Sequence, residues 1–365
     1  METKRVLYLV QFPPPIHGVS ALNKIVWEDS AINQSIEKRV LPIRFAKQLN
    51  ELRTFRLKKI GIAAILYFRI IYQLIVFRPH AVYFSFMPIG IAFWRDLLYL
   101  LTIKFFRVKP ILHLDNQGIA HKSKNKIYKK IYQFAFNGCY IIHVNEYLLN
   151  KELAELSLKN AKLCFVHNTI EPLDNISVDN TNKSHQILFL SHLFPEKGVD
   201  VLIDSFKLLH KNDSSLKLVI AGDSPSSHII KGLKQKVEKL NLSDSIRFTG
   251  GVWNREKCEL IANSSVFVLP SFNDCFPLVI LEALHFGVPV ITTNSGGLKT
   301  IFEDGKEIIF IDSPEQKILK EKLELLLYND DLRTRIGNYG RQKANLIIAE
   351  FPKSMRKIFE EVLWP

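Results

Sequence analysis

Short runs of β-branched and aromatic residues alternate along the chain with stretches whose apolar positions repeat at helical spacing. In the first half these runs are Arg5–Phe12, Ala81–Phe86, Pro110–Asp115, Cys139–Asn145 and Lys162–Asn168. Each run is short enough for a buried strand, and a helical pattern separates it from the next. The first of these helices is predicted to begin at about Ala21. This alternation predicts a parallel α/β sheet in the first half of the chain.

The same pattern restarts after a polar segment. Residues Glu171–Gln186 are rich in Asn, Asp and Ser, which predicts a linker. Beyond it the pattern predicts a helix at Val199–Lys211 and three final helical segments, the last near Ser354–Trp364. Further strands are predicted at Ile187–Leu193, Leu216–Gly222, Ile246–Val252, Val266–Phe272, Val288–Thr293 and Glu307–Ile311. With 365 residues, the chain is therefore predicted to form two tandem open α/β domains, 1–175 and 176–350, followed by a terminal segment, 351–365. Ligands bind beyond the carboxyl ends of such strands, so two facing domains would enclose a cleft lined by loops from both.

The charge is distributed unevenly between the two halves. The chain carries a net charge of +13, and residues 1–170 contain 25 Lys and Arg against 10 Asp and Glu. All of the excess positive charge therefore lies in the first half. This asymmetry predicts an anionic partner, either a phosphorylated substrate or an acidic membrane surface. A nucleic acid is not expected, because no known nucleic-acid-binding motif accompanies the charge.

The basic half is also the more apolar one. Leu57–Pro79 and Ile89–Lys109 mix large apolar residues with Lys and Arg. Arg69 and Arg95 interrupt them, so neither is expected to span a bilayer, which needs about 18 uncharged residues. We expect these helices to place an apolar, basic face on a membrane. The alternative is two buried helices on a sheet with snorkelling basic side chains.

Cysteine usage and the start of the chain predict a compartment. Four cysteines lie far apart, without the spacing of a metal site or a disulfide framework, and no signal peptide is recognisable. We expect a cytoplasmic protein, peripheral on the inner face of the plasma membrane.

The stretch Pro270–Gly297 carries the clearest chemistry. Asp274 and Glu282 are separated by seven residues. Pro277 suits the first turn of a helix, and Gly287 suits its C-terminal end. Asp274 would then lie just before the helix and Glu282 about 1.5 turns inside it.

The start of this helix is a predicted anion site. The N–H groups of Phe276, Leu278 and Val279 have no intrahelical acceptor, and the helix dipole favours negative charge. Phe276, Pro277 and Leu278 are therefore expected beside a phosphate or diphosphate. Asp274 and Glu282 accept hydrogen bonds and would suit neutral hydroxyls on either side of that anion. A nucleoside diphosphate sugar presents this combination. From spacing alone, a helix cap at Asp274 and a solvated carboxylate at Glu282 are the favoured explanation of the two acids.

The whole stretch resembles the E-x7-E region of retaining glycosyltransferases of family 4 (glycosyl transferases group 1), which have the GT-B fold. The frame "FPLVILEAL…GVPVI" followed by "GG" carries the resemblance. It implies two Rossmann-like domains facing a cleft, with a C-terminal helix that crosses back to the first domain. It also implies that Asp274, where the family usually has Glu, contacts the donor sugar and that Glu282 contacts the ribose.

Other segments extend the resemblance to donor binding. Ser191–Asp200 resembles the family's G-R-L-x-x-x-K-G segment, which implies that Lys197 neutralises the donor diphosphate and that His192 replaces the usual Arg. The segment Phe248–Val252 resembles the one whose backbone reads the nucleobase, which places Val252 at the donor. In the loop Pro13–Ser20 the resemblance implies that the backbone of Gly18 approaches the donor phosphate.

The resemblance assigns the first domain to the acceptor. His17 and Ser20 are expected near the acceptor, as are His113 and Asn116. Asp115 takes the place of the family's usual His and would hold the attacking hydroxyl or the sugar; a turn Asp that caps the next helix is the alternative. Because His113 and Asp115 are two residues apart, they are predicted to lie on one side of a strand.

Together the residues and the resemblance predict a retaining, metal-independent hexosyltransferase without a cofactor. It would move a sugar from a nucleoside diphosphate sugar to a hydroxyl of a glycan or lipid-linked acceptor in surface polysaccharide biosynthesis. A sugar-nucleotide epimerase or a phosphorylase on the same fold, and a non-catalytic sugar-nucleotide-binding subunit, remain open. The sugar, the base, the linkage and the oligomeric state are not predicted.

Overall fold

The computed structural model describes residues 3–45, 57–171, 173, 185–224 and 226–365. Most of the predicted linker, Glu171–Gln186, lies outside the described residues. The chain divides into two compact units: Met1–Thr169 with Ala349–Pro365, and Ile170–Ile348. The predicted divisions fall after residues 175 and 350.

The first unit is built on a six-stranded sheet. Its strands are β1 (Lys4–Val10), β2 (Ile36–Pro42), β3 (Ala81–Ser85), β4 (Lys109–Leu114), β5 (Tyr140–His143) and β6 (Lys162–Phe165). They pair in the order β2-β1-β3-β4-β5-β6, and every described pairing is parallel. All five strands predicted in this half are confirmed, and β2 was not predicted.

Helices cover both faces of this sheet. They are α1 (Gly18–Glu28), α2 (Leu57–Val76), α3 (Gly90–Phe105), α4 (Ile119–Ser123), α5 (Lys126–Phe136) and α6 (Glu146–Leu153). Apolar residues of α2, α3, α5 and α6 pack into one core cluster, and those of α1 pack into a second cluster. The two periodic stretches of the basic half are thus confirmed as the helices α2 and α3.

The second cluster is completed by the end of the chain. The helix α12 (Asp330–Leu363) is continuous through Pro352, and its last turns insert Phe351, Met355 and Phe359 among β1 and β3 side chains. The Lys109 ammonium donates to the Val362 carbonyl at 2.8 Å. The expected packing of a terminal helix on the first domain is therefore observed. The prediction of three final helices was wrong, because Asp330–Leu363 forms one helix after α11 (Gln316–Leu327).

The second unit repeats the architecture. Its strands are β7 (Gln186–Leu190), β8 (Lys217–Ala221), β9 (Ile246–Gly250), β10 (Val266–Leu269), β11 (Val290–Thr293) and β12 (Ile309–Ile311). Its remaining helices are α7 (Val199–His210), α8 (Ser227–Lys239), α9 (Asn254–Ala262) and α10 (Leu278–His285). The strands pair in parallel in the order β12-β11-β10-β7-β8-β9. All six strands predicted here are confirmed, and the two Rossmann-like sheets confirm the expected fold class.

The strand order of the second sheet selects one place for a ligand. From β7 the chain moves outward through β8 and β9, then returns to β10 on the other side of β7. Loops that follow β7 and β10 therefore leave the sheet in opposite directions and open a crevice at the strands' carboxyl ends. The segments with the strongest predicted chemistry, Ser191–Asp200 and Pro270–Gly297, begin there.

Candidate functional site

The loops after β7 and β10 are tied together by backbone contacts. Phe272 N–H donates to the Glu196 carbonyl at 2.8 Å. Gly198 has φ +78°, and a Cβ atom placed on it would lie 2.1 Å from the Pro270 carbonyl oxygen. Only glycine fits there, because the left-handed conformation and the close approach both exclude a side chain. This contact fixes Lys197, the last residue of a short 3-10 turn that begins at Pro195.

Lys197 and Asp274 form an ion pair at this position. The Lys197 ammonium donates to Asp274 Oδ1 at 2.6 Å, and the two side chains are only 18% and 15% exposed. Sequence reasoning assigned the lysine to the diphosphate and the acid to the sugar as separate groups. The structure places them in direct contact, so a ligand at either group meets both. An ammonium has three donors, so Lys197 can hold Asp274 and a further anion together.

The loop after β11 holds the backbone of Asp274. Ser295 Oγ accepts from Asp274 N–H at 2.5 Å and donates to the Asp274 carbonyl at 2.9 Å. Gly296 has φ +66°, and a Cβ on it would lie 2.0 Å from the Cys275 carbonyl oxygen. This close approach accounts for the first glycine of the "GG" pair. Three loops from neighbouring strands therefore position one carboxylate.

The predicted helix after Asp274 is present. It begins at Leu278, with Pro277 in extended conformation as its N-cap, one position earlier than the first-turn position expected. It ends at His285, and Gly287 follows with φ +68°, as its predicted role requires. Phe276 is buried and its ring lies 6.2 Å from that of Phe302. The first N–H groups of α10 thus lie directly after the loop that carries Asp274.

Glu282 lies in the second turn of α10 and is paired with Lys257 of α9. The Lys257 ammonium donates to Glu282 Oε1 at 2.7 Å, and these side chains are 20% and 11% exposed. The second oxygen, Oε2, is buried and accepts no hydrogen bond within the described chain. A buried carboxylate oxygen with unused acceptor capacity suits a ligand hydroxyl that can donate to it.

The loops after β8 and β9 adjoin the same edge. Gly251 N–H donates to Asp223 Oδ1 at 3.0 Å, and a Cβ on Gly251 would lie 2.6 Å from Asp223 Oδ2. Val252, the predicted base contact, follows Gly251 and is 4% exposed. His192 is partly buried in the loop after β7, with its ring 6.4 Å from that of Phe194.

In the first unit, His113 and Asp115 lie at the carboxyl end of β4. His113 Nε2 is 3.7 Å from Asp115 Oδ1, which confirms that the two side chains share one side of the strand. His113 is 1% exposed, and the Tyr83 hydroxyl lies 2.5 Å from its Nδ1. Burial raises the pKa of Asp115 above its usual range, and the nearby His113 opposes this rise. His113 therefore has little surface that an acceptor could contact, and it packs against Asp115 from the buried side.

Asn116 and His143 adjoin this pair. Asn116 is half-buried, which leaves it accessible to an acceptor. His143, at the end of β5, is fully buried; its Nδ1 accepts from Val144 N–H at 2.9 Å. Burial lowers the pKa of His143 to about 3, so it is neutral at physiological pH.

The loop after β1 forms a helix cap. His17 is the N-cap of α1: its Nδ1 accepts from Ser20 N–H at 3.3 Å, and Ser20 Oγ accepts from His17 N–H at 3.0 Å. This cap moves the start of α1 from the predicted Ala21 to Gly18. Ser20 is fully buried and has no surface for an acceptor, so its expected acceptor role gains no support from the geometry.

Lys257 and Asp223 were missed by sequence reasoning. Lys257 reaches Glu282 from a neighbouring helix, 25 positions earlier in the chain, and no local spacing marks such a pair. Asp223 lies two residues after β8, the strand that pairs with β7, and its position beyond the carboxyl end of a strand was a usable signal. In the described part of the chain, no three His, Cys, Asp or Glu side chains gather to hold a metal ion. Metal independence stays a prediction.

The second unit matches a known protein family. Residues 174–343 match the family of glycosyl transferases group 1. These residues include Asp274, Glu282 and their lysine partners, and the first unit lies outside the match.

Curated relatives are glycosyltransferases and related synthases. The chain is 30% identical to an uncharacterized glycosyltransferase of Methanocaldococcus jannaschii, over 62% of this chain and 60% of that protein. It is 27% identical to mannosylfructose-phosphate synthase of Agrobacterium fabrum, over 49% and 43%. It is 26% identical to the capsular polysaccharide biosynthesis glycosyltransferase CapM of Staphylococcus aureus, over 60% and 61%. The chain thus spans about two fifths to three fifths of the length of these relatives.

Solved structures match the chain over its whole length. Anabaena HepE in complex with UDP-glucose superposes with a TM-score of 0.73 at 15% identity, over 98% of this chain and 99% of that one. Sucrose-phosphate synthase of Thermosynechococcus elongatus superposes with a TM-score of 0.75 at 12% identity, over 98% and 99%. At these identities the likeness establishes the fold.

Proposed function

We propose that this chain is a retaining, metal-independent glycosyltransferase of the family 4 type. It moves a sugar from a nucleoside diphosphate sugar to a hydroxyl of a glycan or lipid-linked acceptor. The observation that carries the proposal is the Lys197–Asp274 pair at the topological switch of the second sheet, directly before α10. A cation, a carboxylate and a helix N-terminus together suit a diphosphate that is attached to a polyol.

The donor is held by groups with separate tasks. The N–H groups at the start of α10 and the Lys197 ammonium bind the diphosphate, since both carry positive potential. Asp274 accepts from hydroxyls of the sugar, and Glu282 accepts from the ribose with the oxygen that Lys257 leaves unused. The backbone at Gly251 and Val252 reads the base, and Asp223 fixes that backbone.

The reaction breaks the bond between the anomeric carbon and the diphosphate oxygen. Negative charge then grows on the leaving diphosphate, and Lys197 stabilises it in the transition state. The acceptor oxygen attacks from the face that the diphosphate leaves. The departing phosphate oxygen takes the acceptor proton as the new bond to the anomeric carbon forms. Because this bond forms on the face that the diphosphate leaves, the anomeric configuration is retained without a covalent adduct with the protein.

The first unit binds the acceptor. Asp115 holds the attacking hydroxyl, with His113 behind it and Asn116 beside it. A lipid-linked acceptor in surface polysaccharide assembly fits the excess positive charge of residues 1–170. CapM, which the chain matches over 61% of its length, is named for capsular polysaccharide biosynthesis.

A transfer assay tests the proposal. The purified protein is incubated with a panel of nucleoside diphosphate sugars and with membrane lipid extract, and mass spectrometry identifies the products. We expect one donor to be consumed and its sugar to appear on a lipid or glycan. Asp274→Ala should lose most of this transfer. Asp312→Ala is the matched control, because its carboxylate is 92% exposed and pairs with Lys299 at the surface.

The other outcomes distinguish the alternatives. A free epimerised sugar nucleotide would identify an epimerase, and release of sugar phosphate from a glycan would identify a phosphorylase. Tight nucleotide binding without turnover across the panel would identify a non-catalytic subunit. Full transfer activity in Asp274→Ala would exclude the proposed role of Asp274 in binding the sugar.

A further inference from the structure

Three neighbouring helices of the first unit expose large apolar side chains on the side that faces away from the sheet. On α2 the exposed residues Ile65, Phe68, Tyr72 and Ile75 recur at spacings of three and four, which places them on one stripe. The opposite stripe of α2, Leu66, Ile70 and Leu74, is buried in the core. The helix is therefore apolar on two sides, and only one of them is used for folding.

The helix α3 has the same organisation. Ile91, Trp94, Leu98 and Phe105 follow one stripe and are 70%, 49%, 49% and 83% exposed. The stripe is continuous with the other two helices: Tyr99 Oη donates to the Ala63 carbonyl of α2 at 2.8 Å. On the other side, the rings of Trp94 and Tyr128 of α5 are 5.9 Å apart.

The helix α5 extends the patch with Ile127 and Phe134, which are 68% and 66% exposed. Together, the exposed stripes of α2, α3 and α5 form the outer face of the first unit. Of the 22 large apolar side chains that are exposed in the described chain, 12 lie on these three helices. Five of these 12 are aromatic, with roughly 150–250 Å² per side chain, and the 12 partly exposed side chains together present on the order of 1,000 Å² of apolar surface. The largest apolar patch of a soluble monomer is typically about 300–600 Å², so the outer face requires a partner.

The charges around the outer face are of one sign. The segment Leu57–Phe136 contains 13 Lys and Arg and only two acids, Asp96 and Asp115. Asp96 has a fully buried side chain and pairs with Arg95 at 2.7 Å, and the Asp115 side chain is 8% exposed. The exposed charges are therefore all positive. A surface that is apolar at its centre and positive at its edges complements anionic lipid headgroups above an acyl layer.

We propose that the outer face docks on an anionic bilayer, with the stripes of α2, α3 and α5 inserted to the depth of the headgroups. Trp94 and Tyr72 then lie at the depth that amphipathic aromatic rings favour. Lys58, Arg69 and Lys130 are exposed and reach the lipid phosphates, with Arg69 at the edge of its stripe. This docking is independent of the transfer reaction, because none of these side chains belongs to the proposed donor or acceptor site.

The helix α2 lies on the bilayer and does not cross it. By length and composition Lys58–Val76 is apolar enough to span, with a mean hydropathy of 1.7, contrary to the expectation drawn from Arg69. However, its stripe of Leu66, Ile70 and Leu74 is part of the core of the first unit. A spanning helix would remove these residues from the sheet. A second copy of the chain is a poorer occupant, because two faces with the same positive charge repel each other.

Vesicle binding tests the proposal with the whole protein. Flotation with phosphatidylglycerol vesicles should recover the protein, whereas phosphatidylcholine vesicles, or salt at about 1 M with a Debye length of about 3 Å, should recover much less. Trp94 emission should move to shorter wavelength on binding, and Trp94→Phe should lose this shift. Carbonate extraction at alkaline pH should release the protein.

Matched variants locate the contact. Phe68→Ser with Phe105→Ser should lower the vesicle partition coefficient at least tenfold, and Lys126→Glu with Lys130→Glu should lower it similarly. Their controls are Leu346→Ser, which is 65% exposed in the second unit, and Lys207→Glu with Lys211→Glu. Sugar transfer to a soluble acceptor should be unchanged in all of them, which separates this proposal from the proposed function.

Several results would overturn the docking. Absence of binding to phosphatidylglycerol vesicles, or equal losses in the variants and their controls, would exclude the outer face. Resistance to carbonate extraction would indicate a spanning helix. A dimer in solution that only the Phe68 and Phe105 changes dissociate would identify a second copy as the occupant.

Discussion

Replacing Lys257 by alanine should destabilise the second unit, because it leaves Glu282 without its cation. In the folded chain Lys257 donates to Glu282 Oε1 at 2.7 Å, and the other carboxylate oxygen is buried and accepts no hydrogen bond from any residue that the structure describes. The carboxylate is 11% exposed, so water replaces the lost ammonium only in part. The variant must therefore accommodate a carboxylate with little solvation.

The size of the effect follows from burial. Breaking a fully buried ion pair costs about 3–5 kcal/mol, whereas an exposed pair is worth about 0–1 kcal/mol. Lys257 and Glu282 are partly accessible, which places the loss near 2 kcal/mol. For a unit of the size of Ile170–Ile348, this corresponds to a fall in Tm of about 4–8 °C.

Thermal unfolding of the whole chain measures the loss. Lys299→Ala is the matched control, because its partner Asp312 is 92% exposed, and it should change Tm by less than about 2 °C. Adding Glu282→Gln to Lys257→Ala should recover most of the loss, since a neutral amide needs no counterion. A Lys257→Ala variant that unfolds no earlier than Lys299→Ala, or simple additivity of the two changes at the pair, would contradict a role for this ion pair in stability.

Three further predictions concern other parts of the chain. Gly296→Ala should lower the free energy of unfolding by at least about 3 kcal/mol, because its Cβ would lie 2.0 Å from the Cys275 carbonyl oxygen. Gly305→Ala, at φ +73° with open space around it, should lower it by only about 1–2 kcal/mol. Equal losses in thermal unfolding would contradict the steric argument. The pKa of His143 is lowered to about 3, so the unfolded chain takes up a proton first as the pH falls below 6.5. Stability should therefore fall by about 2 kcal/mol from pH 7 to pH 5, and His143→Asn should reduce this slope; an unchanged slope would exclude His143 as its source. Lys197→Ala should lower the turnover of donor sugar about 100-fold while Lys197→Arg retains more activity, and equal rates for the two would refute the charge role.

Strand runs bounded by turn residues predicted most of the fold. Because these strands are buried on both faces, they appear in the sequence as short apolar runs, and their positions could be predicted without tertiary information. The strand β2 was missed because it is an edge strand whose sequence, "IEKRVLP", includes three charged residues and is mostly half-exposed. The start of α1 was misplaced because its cap uses His17, which is not among the usual N-cap residues.

Pairing between distant side chains limited the prediction of the site. The resemblance identified Lys197, Asp274 and Glu282, and the structure brings Lys197 and Asp274 together. Neither the pair itself nor the role of Lys257 was predicted. Both depend on loops and helices that meet only after the sheet forms, and sequence spacing within one element carries no information about such contacts.

The position of α12 determines the order in which the chain can fold during synthesis. The core of the first unit includes Phe351, Met355, Phe359 and Val362, which are synthesised after residues 170–348. Residues 170–348 form a complete compact unit without them. The face of β1 and β3 that packs against α1 therefore lacks part of its cover until the second unit has been translated. A chain truncated before residue 351 would leave apolar side chains of β1 and β3 partly exposed to solvent, which favours aggregation.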